Sequence, residues 1–143
     1  MGCKTVLFLC TGNYYRSRFA EILFNSVAAQ MGLPWRASSR GLALERGVNN
    51  VGPMDASAVK TLQALDGSPA DAWTRFPVAV ATDDLEAADL IVALQRSEHV
   101  PLLQERFPAW ANVVEYWDVE DSPRALALIQ REVMELMACL HRG

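Results

Sequence analysis

The chain has 143 residues, of which 51% are hydrophobic and 21% charged, which is enough apolar chain for one domain over residues 1–143 with a sizeable core. Its formal net charge is −4, so no excess of basic side chains indicates nucleic-acid binding. The apolar run near the amino terminus is too short to cross a membrane, and no signal-peptide cleavage site follows it. We therefore expect a globular cytoplasmic protein whose partners include neither nucleic acid nor a membrane.

The cysteines and histidines are few and lie far apart in the sequence. Cysteines occur at positions 3, 10 and 139, and the two histidines are His99 and His141. Disulfide frameworks and metal sites usually show paired or clustered ligands at short spacing. We expect no disulfide framework, no bound metal and no cofactor.

Residues 4–18 predict a buried strand, a tight loop and the start of a helix. An apolar run ends at Cys10, and a helical pattern of apolar residues begins at Arg16. Between them, Gly12 and Asn13 can adopt the positive φ angles that a tight loop requires. A loop that enters a helix directs several unpaired N–H groups and the positive end of the helix dipole to one place. The segment therefore predicts a site for an oxyanion such as phosphate.

The residue types in this loop suit phosphoryl transfer. Cys10 reacts as a thiolate, a form that the helix dipole, the amide groups and Arg16 all favour. The Arg16 guanidinium can bind two phosphate oxygens at once and follow them into the transition state, and Ser17 is placed to offer its hydroxyl to the sulfur. A cysteine six positions before an arginine is weak evidence alone, so the prediction depends on the strand, loop and helix around it. The residues expected to bind the phosphate are Thr11, Gly12, Asn13, Tyr14, Tyr15 and Arg16.

The rest of the chain alternates between strands and helices. Strands are predicted at 35–39, 89–94 and 112–116, and helices at 55–65, from Thr82, at 98–107 and from Pro123 to the end. The expected helix-capping residues are Asp55, Ser97 and Ser122. Residues 41–54 are expected to be a loop, residues 70–81 a short strand or a packed loop, and residues 66–69 a helix stop. This alternation predicts an α/β fold with a three-layer, doubly wound, four-stranded parallel sheet and helices on both faces.

A carboxylate-rich segment follows the last predicted strand. It contains Asp118, Glu120 and Asp121, and the topology brings it to the same sheet edge as Cys10. A thiolate that attacks phosphorus requires an acid to protonate the leaving group. Any of the three carboxylates can be that acid, although acids at the start of a helix also stabilise its dipole.

These residues resemble the low-molecular-weight protein tyrosine phosphatases. The similarity covers most of the chain in order, and it rests on residues 6–17, 19–21, 55, 88–92 and 117–121. It implies a flavodoxin-like fold and a two-step reaction, in which Cys10 accepts the phosphoryl group. Asp121 would protonate the departing phenol and then activate water. The implied partners are a phosphorylated protein or a small aryl phosphate, with inorganic phosphate or sulfate as a bound anion.

The chain departs from the family pattern at four places. Tyr15 stands where the family usually has a second cysteine, so Cys10 has no neighbouring thiol for a protective disulfide and should over-oxidise more readily. Arg18 replaces a common proline, which is expected to alter the pocket rim. The family's Asp-Pro pair becomes the sequence Asp-Ser-Pro at 121–123, and no histidine occurs at 76–81, where many members carry one that supports the loop.

Two other functions remain open beside the phosphatase. An arsenate reductase of this fold would relay oxidation through two further cysteines, but none occurs between residues 11 and 138. A weakly active phosphate-binding regulatory module would fit Tyr15, Arg18 and the missing histidine. The roles of Tyr14 and Tyr15 are also open, because they can line the pocket mouth or pack on the sheet edge.

Overall fold

The computed structural model describes residues 3–65 and 70–142, so the helix stop expected at 66–69 lies outside the described residues. A single sheet of four parallel strands in the order β2-β1-β3-β4 forms its centre. The strands are β1 (Lys4–Cys10), β2 (Trp35–Gly41), β3 (Leu90–Ala93) and β4 (Glu115–Tyr116). The helices are α1 (Arg16–Met31), α2 (Ala56–Leu65), α3 (Thr82–Ala87), α4 (Arg96–Arg106) and α5 (Ala125–Arg142). The predicted fold class is confirmed.

Strand β1 supplies apolar side chains to both faces of the sheet. Val6 and Phe8 pack in one layer with α1, α2 and α5, whereas Leu7 and Leu9 pack in the other with α3 and α4. Successive side chains of a strand point to opposite faces, and a strand buried on both faces is therefore apolar at every position. This explains why the run before Cys10 is continuously apolar. None of the helices in the described part of the chain has both the length and the apolar character needed to cross a membrane.

The parallel sheet brings the loop after β1 and the acidic segment to one edge. The N–H of Trp117 donates to the carbonyl of Ala93 at 2.9 Å, and the N–H of Val119 donates to that of Leu94 at 2.8 Å. Leu94 in turn donates its N–H to the carbonyl of Leu9 at 3.0 Å, one residue before Cys10. Backbone hydrogen bonds therefore connect the acidic segment to the carboxyl end of β1.

The last helix begins two residues later than predicted. Pro123 was expected as its first residue, but α5 begins at Ala125. The carbonyl of Ser122 accepts a hydrogen bond from the N–H of Ala125 at 3.0 Å. The hydroxyl of Ser122 accepts one from the N–H of Arg124 at 3.2 Å. These local bonds hold residues 122–124 in a turn that competes with the helix.

The start of α4 also differs from the prediction. The helix begins at Arg96, so the expected cap Ser97 lies inside its first turn. The N–H of Gln95 instead donates to Nδ1 of His99 at 3.0 Å. The prediction that Ser97 is the cap is therefore wrong.

Segments 41–54 and 70–81, predicted as a loop and as a short strand or packed loop, contain little regular structure. Residues 41–54 include one short 3-10 turn, Leu44–Gly47, within the expected loop. In the ambiguous segment 70–81, Ala79 forms a single parallel bridge with Gly41. The described part of this segment therefore extends the edge of the sheet beside the end of β2.

Candidate active site

Cys10 lies at the end of β1 and is buried, with 3% of its surface exposed. Its Sγ atom is 2.9 Å from Oγ of Ser17, in the first turn of α1. Oγ of Ser17 already accepts a hydrogen bond from Nδ2 of Asn13 at 2.8 Å. The Ser17 hydroxyl hydrogen is therefore free to point at the sulfur. The structure thus brings the predicted site residues Cys10 and Ser17 together.

Asn13 is the centre of the hydrogen bonds beneath the loop. It is fully buried and adopts a left-handed conformation with φ of 51°, which asparagine tolerates better than most residues. Its Oδ1 atom accepts from the N–H of Val78 at 3.0 Å and from Arg75 at 3.2 Å. Its Nδ2 atom donates to Ser17 and to Ser39, the latter at 2.9 Å. Both ends of the amide are thus satisfied, which fixes the loop conformation.

Arg75 supports the loop and directly precedes residues 76–81, the segment that lacks the expected histidine. Its Nη2 atom donates to Glu21 at 3.0 Å and to Ser39 at 3.2 Å, and Ser39 donates to Glu21 at 2.5 Å. Neither Arg75 nor Glu21 is among the site residues predicted from the sequence. One signal was available, because Glu21 lies four residues after Ser17 and so on the same face of α1.

The loop backbone is held by its carbonyl groups. Four carbonyls accept hydrogen bonds from backbone N–H groups at 2.8 to 3.0 Å. Cys10 accepts from Leu42, Thr11 from Ala43, Tyr14 from Asp55, and Tyr15 from Phe19. None of the N–H groups of residues 11–15 has an acceptor within the described residues. An anion is the usual partner of successive unpaired N–H groups in such a loop.

The end of β2 approaches the loop so closely that glycine is required there. A Cβ atom on Gly41 would lie 2.6 Å from the Leu44 side chain and 2.9 Å from the carbonyl oxygen of Thr11. The second distance involves backbone, which cannot move without displacing the loop. Gly41 thus allows β2 to support the loop after β1 directly.

Arg16 is held by three groups from two segments. Its Nη1 atom donates to the carbonyl of Val119 at 3.0 Å and to Gln95 at 3.2 Å, and its Nη2 atom donates to Glu98 at 2.7 Å. Arg16 also lines the cavity above Cys10. The same guanidinium therefore contacts both the supporting residues and the space that a ligand would occupy.

Glu98 connects Arg16 to the first residue of the loop. Its Oε2 atom also accepts a hydrogen bond from the Thr11 hydroxyl and lies 3.2 Å from Nε2 of His99. Because Nδ1 of His99 accepts from the N–H of Gln95, the neutral ring carries its hydrogen on Nε2, facing Glu98. Burial alone would raise the pKa of Glu98, but hydrogen bonds from His99, Arg16 and Thr11 hold it well below its ordinary value. Neither His99 nor Glu98 is among the site residues predicted from the sequence.

A cavity of about 430 Å³ opens above Cys10. Its lining residues are Cys10, Gly12, Tyr14, Tyr15, Arg16, Asn50, Asp55, Ser57, Asp121, Ser122 and Pro123. Among the three carboxylates of the acidic segment, Asp121 alone belongs to this lining. Tyr14 and Tyr15 also line the cavity, which favours a role at the pocket mouth over packing on the sheet edge. The side chains of Thr11 and Asn13 instead form hydrogen bonds that support the loop. The described residues contain no group of three side chains that could hold a metal ion.

Comparison with known protein families identifies the chain. The family described as low molecular weight phosphotyrosine protein phosphatase matches residues 5–139. The chain belongs to this family. It is therefore a cysteine-dependent phosphatase, a hydrolase of phosphoric monoesters that acts on phosphate-bearing substrates.

Solved structures of similar proteins agree with the family. The low molecular weight protein tyrosine phosphatase from T. tengcongensis is 28% identical, with 96% of this chain and 95% of that chain covered and a TM-score of 0.72. YfkJ from Bacillus subtilis is 25% identical over 99% of this chain and 97% of that chain, with a TM-score of 0.76. Wzb from Vibrio vulnificus, solved in complex with benzylphosphonate, shares the fold with a TM-score of 0.76. It is 18% identical, with 99% of this chain and 100% of that chain covered. A comparison with curated protein sequences gave no significant match.

Arg18, which replaces a proline common in this phosphatase family, lies behind the cavity. It is fully buried and absent from the cavity lining, so the expectation that it alters the pocket rim is wrong. Its Nη1 atom donates to the carbonyl of Pro53 at 3.0 Å. Burial lowers the pKa of Arg18 to about 10, and the nearby charge of Arg75 adds to this effect. The side chain stays charged at neutral pH and holds the segment that precedes Asp55 in the cavity wall.

Replacement of Arg75 tests the support beneath the loop in this phosphatase. We expect Arg75→Leu to lower kcat about 10- to 100-fold, because Asn13 and through it Ser17 lose a fixed position. Arg75→Lys, which keeps a charge but lacks the planar fork, should lose less. Steady-state kinetics with para-nitrophenyl phosphate measure the effect, and Arg36→Leu, at an exposed arginine of β2, is the control. Equal rates for Arg75→Leu and the control would show that this support is dispensable.

Glu98 should make the stability of the phosphatase depend on pH. Its pKa is lowered in the folded protein from an ordinary value of 4.5, so its contribution to stability is present above that value and is lost as the pH falls. We expect Glu98→Gln to lower the free energy of unfolding by about 1–3 kcal/mol at about pH 7. The difference from the wild type should shrink at about pH 3.

Urea unfolding at the two pH values measures this difference. Glu86→Gln, at an exposed glutamate of α3, is the matched control and should show no comparable change. A stability difference that stays constant between the two pH values would contradict the role given to the Glu98 carboxylate.

Proposed function

We propose that this phosphatase hydrolyses phosphotyrosine or small aryl phosphates through a phosphocysteine intermediate. The observation that supports the proposal is that one cavity is lined by Cys10, Arg16 and Asp121. These residues supply a nucleophile, a phosphate-binding cation and a carboxylate for proton transfer. Ser17 contacts the sulfur from below.

In the first step, the Cys10 thiolate attacks phosphorus. A phosphorus–sulfur bond forms while the ester bond to the phenol oxygen breaks, and the Asp121 carboxyl donates its proton to that oxygen. Arg16 and the free N–H groups of residues 11–15 bind the three equatorial oxygens, where negative charge is spread in the transition state. The leaving phenol departs neutral, and phosphate remains on Cys10.

In the second step, water replaces the sulfur on phosphorus. The Asp121 carboxylate accepts a proton from the water as it attacks, which restores the acid for the next cycle. The phosphorus–sulfur bond breaks, and the thiolate leaves with the hydrogen bond from Ser17 in place. Inorganic phosphate is the product, and phosphate or sulfate should therefore bind as competing anions.

Two tyrosines favour an aromatic leaving group. Tyr14 and Tyr15 belong to the cavity lining, and aromatic rings pack well against a phenyl group. The complex of the Vibrio vulnificus relative with benzylphosphonate supports an anion with an attached ring as the ligand class. The substrate is then a phosphotyrosine residue of a protein or a small aryl phosphate. A thiolate nucleophile also requires reducing conditions, which supports the cytoplasm as its location.

The other two functions have less support. An arsenate reductase would require relay thiols, but Cys3 is exposed, Cys139 is exposed on α5, and neither belongs to the Cys10 cavity. The weakly active module rested partly on a missing histidine, and Arg75 supplies hydrogen bonds to the same loop. These observations favour the phosphatase.

Replacement of the nucleophile tests the mechanism. We expect Cys10→Ser to lower the hydrolysis of para-nitrophenyl phosphate by more than about 1000-fold, with no metal added, because a serine hydroxyl is not ionised. Cys139→Ser, which removes an exposed thiol far along the chain, should keep full activity. Activity that survives Cys10→Ser would refute the phosphocysteine mechanism. Thiol oxidation that depends on arsenate, without phosphatase turnover, would instead favour the reductase.

Replacement of the carboxylates tests which of them is the acid. We expect Asp121→Asn to lower kcat/KM for phenyl phosphate about 100-fold and to have a much smaller effect for 2,4-dinitrophenyl phosphate, whose leaving group needs no proton. Asp118→Asn and Glu120→Gln are matched controls from the same segment and should stay close to the wild type. A larger leaving-group effect for either control would move the role to that residue.

A further inference from the structure

Tyr15 makes a hydrogen bond across the site to the residue after the proposed acid. Its hydroxyl donates to the carbonyl oxygen of Ser122 at 2.9 Å, although the two residues are 107 positions apart. The same oxygen accepts the N–H of Ala125 at 3.0 Å, and a carbonyl has two lone pairs for two such bonds. Tyr15 therefore contacts the backbone directly beside Asp121.

The backbone of the acidic segment is held at both of its ends. On one side, Val119 is buried and bonded through its backbone to Leu94 and Arg16. On the other, the buried Ala125 begins α5. Apart from the two backbone hydrogen bonds that Ala125 and Leu128 of α5 donate to Ser122 and Arg124, the Tyr15 hydroxyl is the one hydrogen-bond partner in the described chain that reaches residues 120–124 from outside them. Asp121 itself is exposed, so its position depends on this backbone.

We propose that Tyr15 is a positioning residue whose hydroxyl holds Asp121 over Cys10 for proton transfer to the leaving group. The inference rests on the proposed function, since it assigns Asp121 the role of general acid. Tyr15 directly precedes Arg16, so the backbone that carries the phosphate-binding guanidinium also carries the hydrogen bond to the acidic segment. The separation between bound phosphate and acid is thereby fixed. General acid catalysis requires that the acid lie within hydrogen-bond distance of the leaving oxygen.

The state of the Tyr15 hydroxyl suits this role. Burial raises the pKa of Tyr15, and the negative charges of Asp55 and Asp121 raise it further, against the opposing effect of Arg16. A phenol whose pKa is raised stays protonated at neutral and mildly alkaline pH. Tyr15 therefore remains a donor to Ser122 throughout the range in which the phosphatase would work.

The test is the leaving-group dependence of Tyr15→Phe, which keeps the ring and removes the hydroxyl. Phenyl, 4-nitrophenyl and 2,4-dinitrophenyl phosphates form a series of increasingly good leaving groups. We expect kcat/KM to fall about 10-fold for phenyl phosphate and less than about twofold for 2,4-dinitrophenyl phosphate. The loss for phenyl phosphate should be smaller than that of Asp121→Asn, because the carboxyl group is still present. A burst titration of active sites corrects each rate for the fraction of folded enzyme.

Tyr116→Phe is the matched control. Its hydroxyl also donates to a backbone carbonyl, that of Ala111 at 2.7 Å, but it lies on β4 outside the cavity lining. This variant should keep wild-type rates for all three substrates. A rate loss of Tyr15→Phe that is equal for the three substrates would overturn the inference, because a purely structural effect does not depend on the leaving group.

A double variant separates this inference from the proposed function. If Tyr15 acts through Asp121, Tyr15→Phe should slow the Asp121→Asn enzyme by less than about twofold, since residues that act as a unit are not additive. Full additivity would overturn the role of Tyr15 while leaving Asp121 as the acid. Turnover by the wild type that does not depend on Cys10 would overturn the proposed function itself, and this inference with it.

Discussion

The hydrogen bonds of the Asn13 side chain are the constraint on which the site depends. A left-handed asparagine costs roughly 1 kcal/mol, and Asn13 adopts this conformation at φ of 51°. Four hydrogen bonds to its amide offset that cost, since each contributes about 0.5–1.5 kcal/mol. The loop is therefore held in its binding conformation before any ligand arrives. Preorganisation of this kind is a main source of electrostatic stabilisation in enzymes.

Two separate sets of side chains support the loop from opposite layers of the fold. On one side, Arg75, Glu21 and Ser39 hold Asn13 and through it Ser17. On the other, Glu98 of α4 holds Thr11 and Arg16. Each set contains one ion pair between an arginine and a glutamate, Arg16 with Glu98 and Arg75 with Glu21. The N–H groups of the loop add to the positive potential of Arg16, which favours an anion in the cavity.

The sequence predicted the parts of the site that depend on local order and on topology. Cys10, Arg16 and Ser17 lie within eight consecutive residues, so strand and helix patterns sufficed to place them. Asp121 could be placed near them because parallel strands end at one edge of a sheet. Glu98 and Arg75 could not be found in this way, since their roles depend on side-chain contacts more than 50 residues apart in sequence. For the same reason, the burial of Arg18 could not be foreseen.

Adjacent residues of the phosphate-binding loop connect it to the acidic segment at two points. Arg16 bonds to the carbonyl of Val119, and Tyr15 bonds to that of Ser122, so the pair spans the residues on either side of Asp121. A loop bound on both flanks moves less than one bound on a single flank, because each bond removes rotational freedom of the backbone. The loop after β1 and the backbone around Asp121 should therefore move as one unit. The tyrosine that occupies the usual position of a second cysteine therefore bonds to the backbone beside Asp121.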